Sequence, residues 1–276
     1  MHPLVNIAVS AARTAGNFLM RNLDHVDQLK IERKGRNDFV TQIDRGAESE
    51  IIKTIRKAYP QHAVLGEEGG RSDIAGVDSE VLWIIDPLDG TTNYLHGLPH
   101  FAVSIGIQVR GVLTHGVIYA PATQDLYCAT RGSGATLNNR RIRCSTTKEL
   151  EPALIGTGVP INPANLDAYM PMLRYVAETT AGIRRAGSAA LDLAYVAAGR
   201  LDGFWELGLK PWDIAAGLVL VQEAGGMTSE LYGGADLLKT GHIVAANFKL
   251  HPLLAEALGQ IAKRAPAPEA PVQTVA

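Results

Sequence analysis

The sequence predicts an α/β (α+β) layered sandwich in which helices are buried between two sheets. Three observations carry this expectation. Two segments of the second half, Ser188–Ala198 and Pro211–Ala224, have helical character yet are apolar nearly all round, and such a helix must be covered on several sides. In the first half, helical periods give way to short apolar runs, among them Val81-Leu82-Trp83-Ile84-Ile85. An unbroken apolar run of that length marks a strand buried on both faces. Finally, the 276 residues are 46% hydrophobic and only 20% charged, against about 25% charged in typical domains. That composition favours extensive burial, partly in a subunit interface.

The elements follow in order. Leu4, Ile7, Ala8, Ala11, Ala15, Phe18 and Leu19 keep the helical period and define one amphipathic helix. Ile31–Val40 is charged and holds Gly35, so it reads as a loop or loose hairpin. A second helix from about Thr41 turns Ala47, Ile51, Ile55 and Ala58 inward. It ends at Tyr59-Pro60, because the residue before a proline is pushed out of the helical region. A short strand, Ala63–Leu65, runs into Gly66-Glu67-Glu68-Gly69-Gly70. Phe101–Val109 and Val112–Tyr119, joined through Arg110-Gly111, predict a hairpin. Further strands around Leu126 and Ile142 make the first half an antiparallel-leaning sheet.

In the second half, Ser188 is suited to cap its helix and Gly199 to stop it. Asp202–Leu207 reads as a strand. Pro211 opens a helix closed by Gly225-Gly226, and Ile243–Ala246 and Leu250–Ala262 supply a last strand and helix. The expected organisation is one domain over residues 1–264, with an N-terminal α+β lobe to about 145 and an α/β lobe after it. A proline- and alanine-rich tail, 265–276, is expected to be disordered.

Composition narrows the function. With 26 Lys and Arg against 28 Asp and Glu, the net charge is −2, so no strong field draws the chain to nucleic acid or anionic lipid. No apolar run approaches the ~18–20 residues of a membrane span. Cys128 and Cys144 show no metal-ligand or CxxC spacing, and no signal peptide opens the chain. These features lead us to expect a soluble cytoplasmic protein.

The chemistry concentrates in Asp86-Pro87-Leu88-Asp89-Gly90-Thr91-Thr92-Asn93, directly after the buried strand. A proline-directed bend between Asp86 and Asp89 can aim both carboxylates at one point. Such ligands suit a hard cation like Mg²⁺, which takes one or two carboxylates and fills its other positions with water or phosphate oxygens. The amides of Gly90, Thr91 and Thr92 can face an anion if they open a turn or helix. Taken alone, Pro-x-Asp-Gly is also ordinary turn chemistry. Two other acidic places share that ambiguity: the glycine-flanked Glu67-Glu68, and Asp213 in the first turn of an apolar helix, where an acid also complements the helix dipole. Asp44, early in the second helix, has the same bland alternative.

Taken together, Gly66-Glu67-Glu68, Trp83-Ile84-Ile85-Asp86-Pro87-Leu88-Asp89-Gly90-Thr91-Thr92-Asn93 and Pro211-Trp212-Asp213-Ile214-Ala215-Ala216-Gly217 resemble the inositol monophosphatase family, in particular its bacterial branch. The resemblance runs from Met1 to about Lys263. It implies an αβαβα fold shared with fructose-1,6-bisphosphatase and a lithium-sensitive, Mg²⁺-dependent phosphatase that hydrolyses myo-inositol 1-phosphate. By resemblance, Glu67, Asp86 and the Leu88 carbonyl hold one Mg²⁺, and Asp86, Asp89 and Asp213 a second. Glu67 and Thr91 orient and deprotonate the attacking water, and Gly90 and Thr91 donate to the phosphate. Substrate contacts fall at Asp89, Asp213, Arg184, Gly187, Ser188, Ala189 and Glu206, the last an acceptor suited to polyol hydroxyls. Asp44 matches an acidic position at the rim of the metal site.

The resemblance also implies a homodimer. The alternatives are another small phosphate (a nucleotide, sugar or histidinol phosphate) as substrate, or a transcription antitermination role with RNA polymerase and elongation factors as partners. Arg184-Arg185 and Arg140–Arg143 offer docking charges for the latter, but sparse aromatics argue against direct, stacking-based RNA binding. Gly132-Ser133-Gly134 and Gly156-Thr157-Gly158 lack dinucleotide-motif spacing, and Gly97 and Pro99 between His96 and His100 argue against a zinc-binding helix.

Overall fold

The computed structural model describes residues 2–23, 31–35, 38–73, 79–160 and 165–264; the expected tail lies outside them. Helix α1 (Pro3–Leu23), the antiparallel pair β1 (Ile31–Gly35) and β2 (Asp38–Thr41), and helix α2 (Gln42–Ala58) come first. Strands β3 (Ala63–Gly66), β4 (Gly70–Ser72) and β5 (Val81–Asp89) precede a short helix, α3 (Thr91–Leu95). Strands β6 (Ala102–Val109), β7 (Val112–Ala120), β8 (Asp125–Thr130), β9 (Gly134–Leu137) and β10 (Arg140–Arg141) complete the first half. The second half runs β11 (Leu154–Thr157), α4 (Leu166–Thr179), β12 (Gly182–Arg184), α5 (Ala189–Ala197), β13 (Gly203–Glu206) and α6 (Pro211–Glu223). It ends with β14 (Gly226–Glu230), α7 (Leu237–Thr240), β15 (Ile243–Asn247) and α8 (Leu250–Ala262).

An eight-stranded sheet in the order β10-β9-β8-β7-β6-β5-β3-β4 faces a five-stranded sheet in the order β12-β11-β13-β15-β14. Alternation along the strands sends side chains to opposite faces, and three cores result. Trp83, Ile85, Val103 and Ile105 of the large sheet pack on Ala8, Ala15 and Leu19 of α1 and Ile43, Ile51 and Ile55 of α2. Leu191, Leu193 and Val196 of α5 and Ile214, Val219 and Leu220 of α6 fill the space between the sheets, with Ile118 and Tyr127 on one side and Phe204 and Ala245 on the other. Trp205, Val244 and Ala246 point the opposite way, onto Tyr169, Met172 and Val176 of α4 and Leu254 and Leu258 of α8. The layers are therefore helix, sheet, helix, sheet, helix, as the all-apolar helices require.

Two expectations change in detail. β5 does not leave the sheet after Ile85 but continues to Asp89. The strand near Ile142 is β10, two residues that end just before it. Helix α4, with strands β11, β12 and β14, gave no clear signal in the sequence.

Close approach of the middle helix to the large sheet depends on Gly106 and Gly116, which pair across β6 and β7. A Cβ on Gly106 would lie 2.6 Å from the Ala215 Cβ, and one on Gly116 would overlap the Ala216 backbone. Overpacking a dense core costs roughly 1–3 kcal/mol. Gly116→Val is therefore expected to lower the melting temperature by several degrees; an unshifted thermal transition would contradict this packing.

Candidate active site

The site begins with an irregularity in β5. Asp86 pairs with Ser104 and Asp89 with Ala102, so β5 spends one more residue than β6 over this stretch. Such a bulge re-aims side chains. In a regular strand, residues three apart face opposite sides; the extra residue lets Asp86 and Asp89 serve the same side. Asp86 is buried, and its Oδ1 accepts the Leu88 amide at 2.9 Å. The following Gly90 has φ 98°, a left-handed value that favours glycine, and a Cβ there would press on the His100 carbonyl at 3.0 Å. This turn delivers Thr91 to the start of α3. Its hydroxyl lies 3.0 Å from Asp44 Oδ1 and 3.1 Å from the Leu88 carbonyl oxygen. Asp44 therefore stands beside Thr91, joined to it by a hydrogen bond between α2 and α3.

The remaining acids arrive from other elements. The Glu67 amide donates to the Ile85 carbonyl at 3.3 Å, which sets the Glu67 loop beside Asp86. Asp213 sits in the first turn of α6, where its Oδ2 accepts the Lys210 amide at 2.7 Å. Burial holds the Asp86 carboxyl well above its ordinary range, and the charges of Glu67, Asp89 and Asp213 raise it further. Four carboxylates from β5, the β3–β4 loop and α6 thus share one electrostatic neighbourhood. Burial also lifts Asp89, to about 6, against hydrogen bonds from Ser188, Ala190 and Ala189 that pull it down.

The donor set, all carboxylate and carbonyl oxygen, fits a hard divalent cation. Among the described residues, no three His, Cys, Asp or Glu side chains are gathered tightly enough to coordinate one ion as they stand.

The opposite wall comes from α5. Asp89 Oδ2 accepts the Ser188 hydroxyl at 2.6 Å and the Ala190 amide at 2.7 Å, while the Ser188 oxygen caps the helix by accepting the Leu191 amide at 3.3 Å. Asn93 Nδ2 donates to the carbonyls of His100 and Ala186, at 2.7 and 2.9 Å, fastening the Gly187–Ser188 loop to the segment after α3. Gly187, Ser188 and Ala189 therefore stand next to Asp89.

Glu206, ending β13, is held well above the usual carboxylate range by burial and by Asp192, Asp213 and Asp89; the Arg185 charge acts the other way. Arg184 and Arg185 are both exposed, and the Arg184 guanidinium donates to the Ile183 carbonyl at 2.9 Å. The cation that acts on Glu206 and Asp192 is Arg185.

Sequence reasoning passed over Arg185 in that role, and also Asn93, Asp192 and Glu48. Glu48 had a visible signal: with Asp44, Ile51 and Ile55 it occupies one face of α2, a carboxylate on a stripe that otherwise builds the core. Gly132-Ser133-Gly134 proves to be the β8–β9 turn. The amides of Gly132 and Gly134 donate to Glu223 of α6, at 2.7 and 2.6 Å.

The inositol monophosphatase family matches residues 1–263. The chain is 53% identical over 252 residues to Nus factor SuhB of Pseudomonas aeruginosa, covering 90% of this chain and 93% of that protein. The crystal structure of extragenic suppressor protein SuhB from Bartonella henselae is 46% identical and superposes with a TM-score of 0.89, covering 93% of this chain and 98% of that one. Inositol monophosphatase from Anabaena is 40% identical with a TM-score of 0.80, covering 96% of each chain. The bulged β5, the glycine-threonine turn and the convergent acids thus lie in a chain that matches one family from end to end, and the protein belongs to the inositol monophosphatase family.

Proposed function

We propose that the protein is a Mg²⁺-dependent phosphomonoesterase that hydrolyses myo-inositol 1-phosphate to inositol and phosphate. The observation that carries this reading is that Glu67, Asp89 and Asp213 lie near enough to the buried Asp86 to raise its carboxyl, beside the Thr91–Asp44 pair. Glu67, Asp86, the Leu88 carbonyl, Asp89 and Asp213 would hold the divalent cations. When bound, these lower the pKa of water and stabilise the charge of the transferring phosphoryl group and departing alkoxide.

The protein's own groups do the rest. The Thr91 hydroxyl proton is held toward Asp44 Oδ1, so the Thr91 oxygen is oriented to accept a hydrogen bond from the attacking water. Glu67 faces the same water as base. The amides of Gly90 and Thr91 receive phosphate oxygens, and Asp89 and Asp213 approach the ester. Ser188, Gly187 and Ala189 line the polyol side with Glu206 and Arg184, and the Arg185 charge acts on Glu206 there.

The test is a comparison of kcat/KM for inositol 1-phosphate with nucleotide, sugar and histidinol phosphates, with and without Mg²⁺. Inositol 1-phosphate is expected to be turned over fastest, and only with the cation. A fast alternative beside negligible inositol phosphate activity would move the assignment to that substrate.

A second reading is favoured by the name of the Pseudomonas aeruginosa relative, a Nus factor. It assigns the protein a role in transcription antitermination, through association with RNA polymerase and elongation factors. Retention of these partners in a pull-down by Asp213→Asn protein would separate that role from catalysis; their absence from wild-type pull-downs would remove it. We further propose that the protein acts in the cytoplasm as a homodimer, as the family resemblance implies. Among the described residues, no helix is long and apolar enough to cross a membrane.

A further inference from the structure

We propose that Glu48 is a positioning residue that fastens the Glu67 loop to α2 and so sets the affinity of the site for its divalent cation. This proposal rests on the reading of Glu67 as a metal ligand. Glu48 is 4% exposed, and its two carboxylate oxygens take up consecutive amides of the loop: Oε2 accepts Glu68 N–H at 2.9 Å and Oε1 accepts Gly69 N–H at 2.7 Å. A bidentate grip on two neighbouring amides fixes both the position and the orientation of that peptide. The residue before them, Glu67, is held on its other side by the hydrogen bond from its amide to the Ile85 carbonyl.

The loop is shaped to admit the carboxylate. A Cβ on Gly66 would overlap Glu48 Oε2, and one on Gly69 would stand 2.7 Å from Oε1. The two glycines that flank Glu67-Glu68 are therefore where the chain passes closest to Glu48. Their absent side chains leave the space it occupies.

α2 also ties down the second loop of the site. Asp44 and Glu48 are four residues apart, about 6 Å along a helix and on the same face. Asp44 reaches Thr91 while Glu48 reaches the Glu67 loop. One turn of one helix thus spaces the water-orienting hydroxyl against the metal-binding acid. Farther along α2, Arg56 hydrogen-bonds to the Ser72 hydroxyl on β4, and so ties the loop's far side to the same helix. Partners that orient metal ligands typically change metal affinity ~10–100-fold when removed.

Glu48→Gln tests the assignment, because glutamine keeps the size of the side chain but sets an NH₂ against an N–H. Hydrogen exchange in cation-free protein is expected to lose protection at Glu68 and Gly69 by about tenfold or more. The Mg²⁺ dissociation constant, measured by calorimetry, is expected to rise about tenfold. The Mg²⁺ concentration for half-maximal turnover should rise with it, while kcat at saturating Mg²⁺ stays within a few-fold. Gly69→Ala, at an exposed position that crowds Glu48 from the loop side, should shift Mg²⁺ affinity in the same direction and guards against a Glu48 variant that fails to fold. Unchanged exchange and unchanged Mg²⁺ affinity in folded Glu48→Gln would overturn the proposal. Wild-type protein that binds no Mg²⁺ would instead overturn the metal reading, and the exchange measurement, made without cation, would still decide the loop contact.

Discussion

Asp213→Asn is expected to lower kcat/KM for inositol 1-phosphate at saturating Mg²⁺ by roughly a thousandfold while leaving the fold intact. Metal-borne charge stabilisation is worth several kcal/mol in the transition state, and each ~1.4 kcal/mol is a factor of ten. Asparagine retains an oxygen that can accept the Lys210 amide, so the start of α6 need not unravel. Asp89→Asn should be as damaging to turnover but is a less clean test. Asp89 also receives the Ser188 hydroxyl and the Ala190 amide, so its loss disturbs the start of α5. Phosphate release, read beside circular dichroism and thermal melting, checks the pair. Wild-type turnover by folded Asp213→Asn protein would remove that residue from the site.

Asp86→Asn should do the opposite to stability: in the absence of divalent cation at pH 7.5, the variant should melt higher than wild type, by on the order of 3–5 °C. The Asp86 carboxyl is raised in the native protein by burial and three acidic neighbours. A raised acid binds its proton more tightly folded than unfolded, so stability falls as pH rises from its ordinary 3.8 through the native value. Above the ordinary carboxylate range the native state therefore bears the cost of this crowded, buried acid, and the amide removes it while keeping an acceptor for the Leu88 amide. As pH falls toward the ordinary carboxylate range this cost shrinks, so the gap should be narrower at pH 5.5.

The buried His115, His242 and His251 and the partly buried His62 and His100 have lowered pKa values and weaken both proteins as pH drops below about 6.5. They cancel in the difference. Mg²⁺ should reverse the order, because a ligand that binds only the native state stabilises it by mass action. Scanning fluorimetry in EDTA and in Mg²⁺ at both pH values measures this. A cation-free variant less stable than wild type at pH 7.5 would show that the acids do not repel as described.

What could be read from the sequence depended on how local each signal was. Asp86 through Thr91 carry their chemistry within six consecutive residues, and Asp213 stands out as an acid at the head of an apolar helix. Middle helices α5 and α6 were legible because no polar face is available to meet water. Helix α4 was not. Pro171 lies inside it on an exposed face, where water can take up the Asp167 carbonyl that loses its donor. A sequence pattern shows the proline as a breaker and cannot show the solvent that tolerates it.

β14 opens on Gly226, a residue whose type suggested only the end of the preceding helix. The bulge in β5 is set by pairing with β6, not by Pro87 alone, so the strand's continuation to Asp89 was hidden. Arg184 and Arg185 are both exposed, and no local pattern shows that the Arg185 charge is the one that acts on Glu206 and Asp192. Glu48 acts on amides 20 and 21 residues away, a relation that no local motif encodes.

Calorimetric titration of Mg²⁺ into wild-type, Asp86→Asn and Asp213→Asn protein at pH 7.5 bears most directly on the gathering of acids from β5, α6 and the Glu67 loop. Wild type is expected to bind the ion, and each variant to bind it at least tenfold more weakly. Equal affinity in all three folded proteins, or no binding to any, would contradict a shared cation site.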